Sequence, residues 1–113
     1  MERTSKQNLH LLSQLTADLI KSKTGKGPKD IRVYLIENKV LIEMSNILTP
    51  LEREIASTTD GIINVKLSRE QFYQKLTRDY HALAGQIIDC QILHSCSACD
   101  VVNDQIYIML TLK

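Results

Sequence analysis

The chain has 113 residues, of which 43% are hydrophobic and 24% charged, and its formal net charge is +1. This length and composition predict one folded domain over residues 1–113 and exclude a disordered chain. The near-neutral charge argues against a general binder of polyanions, and one Phe, four Tyr and no Trp leave few surfaces for base stacking. Nucleic acid is therefore not an expected partner.

Segments that direct a protein to a membrane are not apparent in the sequence. The first six residues, MERTSK, lead into a helical pattern and not into an apolar signal segment. No apolar run approaches the roughly 18–20 residues of a membrane span. Three cysteines, an odd number, fit a reducing compartment better than a disulfide framework. We therefore expect a cytoplasmic location.

The first half of the chain reads as a helix followed by a hairpin. Apolar residues recur at steps of three and four over residues 5–23, which predicts an amphipathic helix. Its apolar stripe is broad enough to contact a second subunit as well as its own sheet. Residues 31–36 and 40–44 alternate as two strands joined by the short polar turn 37–39. The side chains expected to share one face are those of Ile31, Val33, Leu35, Val40, Ile42 and Met44.

Two helices are predicted next. The sequence Thr-Pro-Leu-Glu at residues 49–52 combines a capping box with a proline in the first turn, so it predicts a helix start. Asp60 and Gly61 predict the end of this short helix. Residues 68–71, Ser-Arg-Glu-Gln, have the pattern of a second capping box, from which a longer helix is expected to reach Gly85.

Alternation then predicts two more strands, over residues 87–94 and 106–112, with a loop over 95–103 between them. The resulting element order is α-β-β-α-α-β-β. This order predicts an α+β fold in which a two-layer sandwich contains one mostly antiparallel four-stranded sheet.

The turn between the first helix and the first strand is the most basic stretch of the chain. It reads Thr-Gly-Lys-Gly-Pro-Lys over residues 24–29, and its glycines can turn amide N–H groups toward an anion such as phosphate, carboxylate or bicarbonate. A nucleotide-binding P-loop is excluded, because here a helix leads in and a strand leads out. A helix stop followed by a solvated loop is the alternative. The candidate binding residues are Gly25, Lys26, Gly27, Pro28, Lys29 and Arg32, with Lys21 and Lys23 nearby.

Arg69 is a further candidate. In the first turn of the longer predicted helix it would place a cation at the positive end of the helix dipole. A residue that opposes its local preference can indicate a function, here a contact with an anion or with a carboxylate of another subunit. A solvated arginine is the alternative.

The cysteines offer a second kind of chemistry. Cys96 and Cys99 form a CxxC pair with Cys90 and His94 just upstream, and such thiolates can share a zinc ion with a histidine. Unremarkable loop thiols are the alternative. Redox catalysis is disfavoured, because the pair is predicted in a loop between strands and not at a helix start.

No complete catalytic set is visible. His10, His81 and His94 are not spaced as a triad or as a two-histidine metal motif. We therefore expect a protein that is not an enzyme and that needs no cofactor.

Several short motifs resemble one family. They are GKGPK at 25–29, IRVYL at 31–35, VLI at 40–42, LTPLE at 48–52, and Arg69 with Phe72. Together they resemble the MpsC family over nearly the whole chain, from about residue 6 to the end. The resemblance implies a small bacterial cytoplasmic protein associated with a Na+-translocating system for membrane potential and inorganic carbon uptake. By motif position it singles out Gly25, Lys26, Gly27, Pro28, Arg32 and Arg69.

The last third of the chain departs from that family pattern. Many relatives carry a Ser-Asp pair after the third strand, whereas residues 94–100 here read His-Ser-Cys-Ser-Ala-Cys-Asp. The departure suggests a divergent branch.

Two functional hypotheses follow. The first is a non-enzymatic accessory or regulatory protein, a homodimer, that binds a protein partner or a small anion through the basic turn and serves a membrane transport complex. The alternative is a metal-binding or redox-responsive protein that uses Cys90, His94, Cys96 and Cys99.

Overall fold

The computed structural model describes residues 5–113, which form an α+β fold in the predicted order α-β-β-α-α-β-β. Residues 1–4, part of the stretch for which the sequence predicts no signal segment, lie outside this range. The elements are α1 (Lys6–Thr24), β1 (Asp30–Ile36), β2 (Lys39–Ser45), α2 (Pro50–Ile55), α3 (Thr59–Ile88), β3 (Ile92–Asp100) and β4 (Gln105–Leu112). Within residues 5–113, no helix combines the length and apolar character that crossing a membrane requires.

The four strands form one antiparallel sheet in the order β1-β2-β4-β3, so β1 and β3 are its edges. Val33 pairs with Ile42, and Ile42 pairs with Ile108 on the other side. This register confirms the face predicted for the hairpin. The fully buried strand residues on that face include Val40, Ile42, Met44, Ile106 and Leu110.

α1 matches the predicted helix closely. The Ser5 hydroxyl accepts a hydrogen bond from the Asn8 amide at 3.1 Å, which caps the start. The buried residues Leu12, Thr16 and Ile20 repeat every four positions and face the core. The broad flank of the stripe includes Leu15 and Leu19, which are partly buried against the same core. Contact of α1 with a second subunit stays a prediction.

The longer helix was predicted to begin near Ser68, and this is wrong. α3 begins at Thr59, where the Thr58 hydroxyl accepts from the Gly61 amide at 3.0 Å, and it runs through an exposed Ser68. Asp60 adds a favourable charge in its first turn. Gly61 is therefore not a helix end.

The predicted end at Gly85 and the predicted strand over 87–94 are also wrong. α3 continues to Ile88 and ends at Asp89, which has a left-handed backbone with φ of 52°. The apolar pair at 87–88 belongs to the last helical turn, where Ile88 is fully buried. Apolar alternation over so short a stretch does not distinguish the two cases.

The loop predicted over residues 95–103 is mostly strand. β3 pairs with β4 from Ile92 opposite Leu112 to Asp100 opposite Gln105, and only residues 101–104 form the turn. A bulge between Ile92 and His94 shifts the register. Pairing with the apolar strand β4 overrides the weak strand preference of the Ser- and Cys-rich segment.

Gly61 lies where the start of α3 packs closely against the end of α2, so an added methyl group should disturb this packing. A Cβ on its backbone would lie 1.6 Å from the Ile55 carbonyl oxygen, so α2 and α3 would have to separate. We expect Gly61→Ala to lower the free energy of unfolding by about 3 kcal/mol or more, measured by urea denaturation. The control is Gly27→Ala, whose added Cβ would make only ordinary van der Waals contacts, with the Lys21 side chain at 3.5 Å and the Ala17 carbonyl oxygen at 3.7 Å. Equal stability of the two variants would contradict this assignment.

Candidate functional site

The basic turn lies against the segment that connects β2 to α2, residues 46–49. Lys26 Nζ donates a hydrogen bond to the Asn46 carbonyl oxygen and lies 3.4 Å from the Asn46 side-chain oxygen. Lys26 therefore ties the turn to the connector, and its ammonium group is engaged within the chain.

The backbone of the turn is also largely engaged. Gly25, with a left-handed φ of 84°, donates its amide to the Lys21 carbonyl at 2.9 Å and so ends α1. The Lys26 amide donates to the Thr24 hydroxyl at 3.3 Å, and the Lys29 amide donates to the Ser45 carbonyl at 3.0 Å. An anion at this turn would therefore be bound mainly by side chains.

Four cations around the turn are exposed to solvent. Lys21 and Lys23 lie in the last turn of α1, Lys29 precedes β1, and Arg32 lies on β1 opposite Glu43. Unlike Lys26, these four residues present their charges at the surface. They form what we call the basic surface: Lys21, Lys23, Lys29 and Arg32.

Arg69 is buried in the middle of α3 and is not in a first helical turn. Its Nε and Nη2 atoms donate to the two carboxylate oxygens of Glu52, both at 2.6 Å, and Nη2 also donates to the Ile47 carbonyl at 3.1 Å. The side chain of Arg69 is 3% exposed and that of Glu52 is 18% exposed. This is a two-pronged ion pair between α3 and α2, largely shielded from water.

Glu52 has a second partner, in the capping box predicted from the sequence. Its Oε1 accepts from the Thr49 amide at 2.9 Å, while the Thr49 hydroxyl accepts from the Glu52 amide at 3.2 Å. Burial works to raise the pKa of Glu52, but the hydrogen bonds from Arg69 and Thr49 outweigh it and hold that pKa below its ordinary value. Glu52 therefore remains a carboxylate in the folded protein at neutral pH.

Tyr73 lies beside this pair on α3. Its hydroxyl is 3.5 Å from Nη1 of Arg69. Burial raises the pKa of Tyr73 to about 12, although the neighbouring guanidinium opposes the shift. The phenol therefore stays neutral at physiological pH and adds no second negative charge to the pair.

The turn between β3 and β4 holds the connector from the other side. Asp104 accepts the amides of Ile47 and Leu48 at 2.9 and 3.0 Å, and its own carbonyl accepts from Asn46. Arg53 donates to Asp104 at 3.1 Å and also to the Asn46 side chain. The connector is thus held by three parts of the chain that are distant in sequence, namely the basic turn, α3 and the β3–β4 turn, and by the adjacent helix α2.

A hollow of about 260 Å³ lies between Thr24, where the basic turn begins, and the buried ion pair of Arg69 with Glu52. Arg69 and Glu52 are in its lining, and they already neutralise one another. An anion bound there would have to compete with the Glu52 carboxylate for the guanidinium. The lining residues are Thr24, Thr49, Glu52, Ser68, Arg69 and Phe72.

A larger cavity, about 470 Å³, lies elsewhere, between α1, α3 and β3. A hydrogen bond of 2.9 Å between the Thr16 and Tyr80 hydroxyls joins the two helices at its wall. Its lining includes the carboxylate of Glu70 but no lysine, arginine or histidine, so it does not suit an anion. The lining residues are Thr16, Leu19, Ile20, Glu70, Tyr73, Gln74, Leu76, Thr77, Tyr80, Ser95, Cys96, Ser97 and Ile108.

The CxxC pair lies in strand β3 and not in a loop. Cys96 is exposed and pairs with Met109, whereas Cys99 is buried and pairs with Ile106, so the two thiols point to opposite faces of the sheet. Three strand residues span about 10 Å, beyond the roughly 7 Å limit for a disulfide. Burial raises the pKa of Cys99 to about 11, which makes it unreactive.

The other two candidate ligands do not complete a site in the described part of the chain. His94 pairs with Thr111 next to the bulge of β3, and the Cys90 thiol contacts the Gln91 and Lys113 carbonyls at 3.8 Å. Within residues 5–113, no three His, Cys, Asp or Glu side chains are grouped so that they could hold a metal ion. The geometry therefore does not favour the zinc hypothesis.

Two important residues were missed or read incompletely from the sequence. Glu52 was identified only as a cap, and Asp104 was not identified at all. The partner of Glu52 is 17 residues away in the sequence, and Asp104 is 56 residues from Leu48, whose amide it accepts. The one local signal was the positive φ preference of aspartate in turns, since Asp104 has φ of 52°.

The buried pair predicts a strong coupling between Arg69 and Glu52. We expect Arg69→Met to lower the free energy of unfolding by about 3 kcal/mol, because it leaves a partly buried carboxylate without its counter-charge. Adding Glu52→Gln should cost little more, and urea denaturation of both single variants and the double variant measures this. Arg53→Met, which breaks the exposed pair with Asp104, is the control and should cost less than about 1 kcal/mol. Additive losses at positions 69 and 52 would contradict the coupling.

The depressed pKa of Glu52 also predicts a dependence on pH. A carboxylate with a folded-state pKa below its unfolded value contributes stability above the unfolded pKa, and this stability is lost as pH falls through the folded pKa. The wild-type chain should therefore lose stability steadily below about pH 4.5. Glu52→Gln should be less stable at neutral pH and show a shallower acid dependence in denaturation at several pH values. Glu54→Gln, an exposed change on the same helix, should keep the wild-type slope.

Comparisons with known proteins identify the family. No curated protein and no solved structure matched the chain. The family described as "Na+-translocating membrane potential-generating system (MpsC)" matches residues 4–113, essentially the whole sequence. That match includes the basic turn, the capping box at Thr49 and Arg69, whose positions in the fold are described above. The chain therefore belongs to the MpsC family.

Proposed function

We propose that this chain is a non-enzymatic accessory subunit of a Na+-translocating, membrane-potential-generating system, and that its basic surface binds an acidic surface of a partner subunit. Family membership supports the link to such a system. The observation that carries the proposal is that one cation of the turn is engaged within the chain while four cations around it are exposed. Lys26 is engaged with Asn46, whereas Lys21, Lys23, Lys29 and Arg32 are exposed.

The fixed backbone beneath these cations favours a protein partner. Lys26 and the Lys29 amide attach the turn to the connector and to β2, and the Arg69–Glu52 pair attaches the connector to α3. The backbone beneath these exposed charges is already fixed, so it loses little conformational freedom when the charges meet a complementary surface. A small anion would need a concave site with cations aimed into it, and the 470 Å³ cavity has none in its lining.

A cytoplasmic location and a homodimeric state are part of this proposal. The location is inferred from the odd number of cysteines. Transport of inorganic carbon by the same system is also proposed, and bicarbonate is the anion to test.

The test is capture of the host's membrane subunits by the full-length chain carrying an affinity tag. Lys23→Glu with Lys29→Glu should reduce capture from detergent-solubilised membranes by about tenfold at low salt, because both changes reverse charge in the basic surface. The control, Lys66→Glu with Lys75→Glu, reverses two exposed lysines on α3 and should leave capture unchanged. Equal capture by both double variants would overturn the proposed surface.

A calorimetric titration with sodium bicarbonate, against sodium chloride, separates the small-anion alternative. The proposal predicts no saturable heat with either salt. Saturable bicarbonate binding that is lost in Lys23→Glu with Lys29→Glu would replace the protein partner with an anion ligand at the same cations.

A further inference from the structure

One face of the sheet carries no helix. α1 and α3 contact each other through Thr16 and Tyr80, and α2 packs on α3, so the helices of residues 5–113 form a single layer on one side. On the other side, the strand registers align Tyr34 with Leu41, Leu41 with Met109, and Met109 with Cys96. We call this side the open face and these four residues the central row: Tyr34, Leu41, Met109 and Cys96.

The central row is apolar across all four strands. Tyr34 is 39% exposed, and Ile36, on the same side of β1, is 53% exposed. A sheet face in contact with water normally presents polar side chains at the outward positions. An uninterrupted apolar row at the centre of such a face indicates a surface that is covered by another molecule.

Two charged residues of β2 border the row in a self-complementary way, and a third, Arg32 on β1, lies opposite Glu43 on the same face. Glu43 and Lys39 both lie on β2, two residues to either side of Leu41, and so both point to the open face. A twofold axis along the central row would stack β2 on β2 of a second copy in the opposite direction. Glu43 of each copy would then face Lys39 of the other, and the residues of the row would face their own equivalents.

The other twofold arrangement gives Glu43 and Lys39 no charged partner in the second copy. An axis along the strands would stack β2 on β4 of the second copy, which puts Glu43 over Tyr107 and Lys39 over Thr111. Burying a carboxylate and an ammonium group against such neighbours is costly. Only the axis along the row pairs Glu43 and Lys39 between the two copies.

We propose that the open face is the interface of the homodimer, in which two copies stack through the central row and Glu43 of each copy pairs with Lys39 of the other. This inference names the surface of the homodimer in the proposed function. Arg32 of the basic surface lies on the open face, but the pairing uses neither Lys23 nor Lys29, so charge reversal at these two lysines tests partner capture separately from dimer formation.

Charge reversal at the two positions tests the pairing. Glu43→Lys and Lys39→Glu should each weaken the dimer by about tenfold or more, because each places like charges opposite one another twice per dimer. The double variant should restore it. Within one chain, two residues four apart on a strand are separated by about 13 Å, too far for an ion pair, so restoration reports a contact between copies.

The measurement is sedimentation equilibrium of the full chain from about 1 to about 100 µM, a range that resolves dissociation constants near the micromolar level. Lys75→Glu, an exposed change on α3, is the control and should keep the wild-type constant. Urea denaturation of each variant shows whether the monomer remains folded. A wild-type chain that stays monomeric, a dimer unaffected by either single change, or a double variant no better than the singles would overturn the proposal.

A second readout does not depend on charge. The axis along the row brings Cys96 of one copy opposite Cys96 of the other, at the roughly 10 Å spacing of stacked sheets. A short bismaleimide should cross-link two copies of the Cys90→Ser variant. It should fail to cross-link the variant that carries both Cys90→Ser and Cys96→Ser. If a sample that sediments as a dimer gives no cross-link, the dimer interface does not lie on the open face.

Discussion

The ion pair between Arg69 and Glu52 fixes the end of the molecule that carries the basic turn. It joins the middle of α3 to the first turn of α2, and the same guanidinium binds the Ile47 carbonyl in the connector. A buried pair of this kind adds little net stability compared with apolar side chains of similar size, but removing one partner is costly. Its contribution is therefore to select one arrangement of α2, α3 and the connector.

That arrangement divides the basic residues into one that is engaged within the chain and others that are exposed. Lys26 is engaged with the connector and belongs to the frame, whereas Lys29 lies three residues away and is exposed. Both residues belong to one motif, and nothing in the motif distinguishes them. Only the position of Asn46, which accepts from Lys26, shows that one lysine is engaged within the chain while the other is exposed.

The sequence predictions are correct where an element depends on local interactions and wrong where it depends on residues distant in the chain. The hairpin and α1 were predicted correctly, because the alternation of the hairpin, the steps of three and four in α1 and the helix stop in the basic turn are all local patterns. Ser68 was read as a helix start, although it lies inside α3, because a capping pattern can also occur within a long helix. β3 was read as a loop, because its strand state depends on pairing with β4 and not on its own residues.

The sequence by itself determined the order of the elements, the buried face of the hairpin, the basic turn and membership in the MpsC family, since each is encoded in periodicity or in a short motif. Only the tertiary structure decided that Arg69 is buried against Glu52 and that Cys96 and Cys99 point apart. It alone aligned Tyr34 with Met109 on the open face. The physical reason is that burial, pairing and register are set by contacts between residues far apart in the chain, which no local pattern contains.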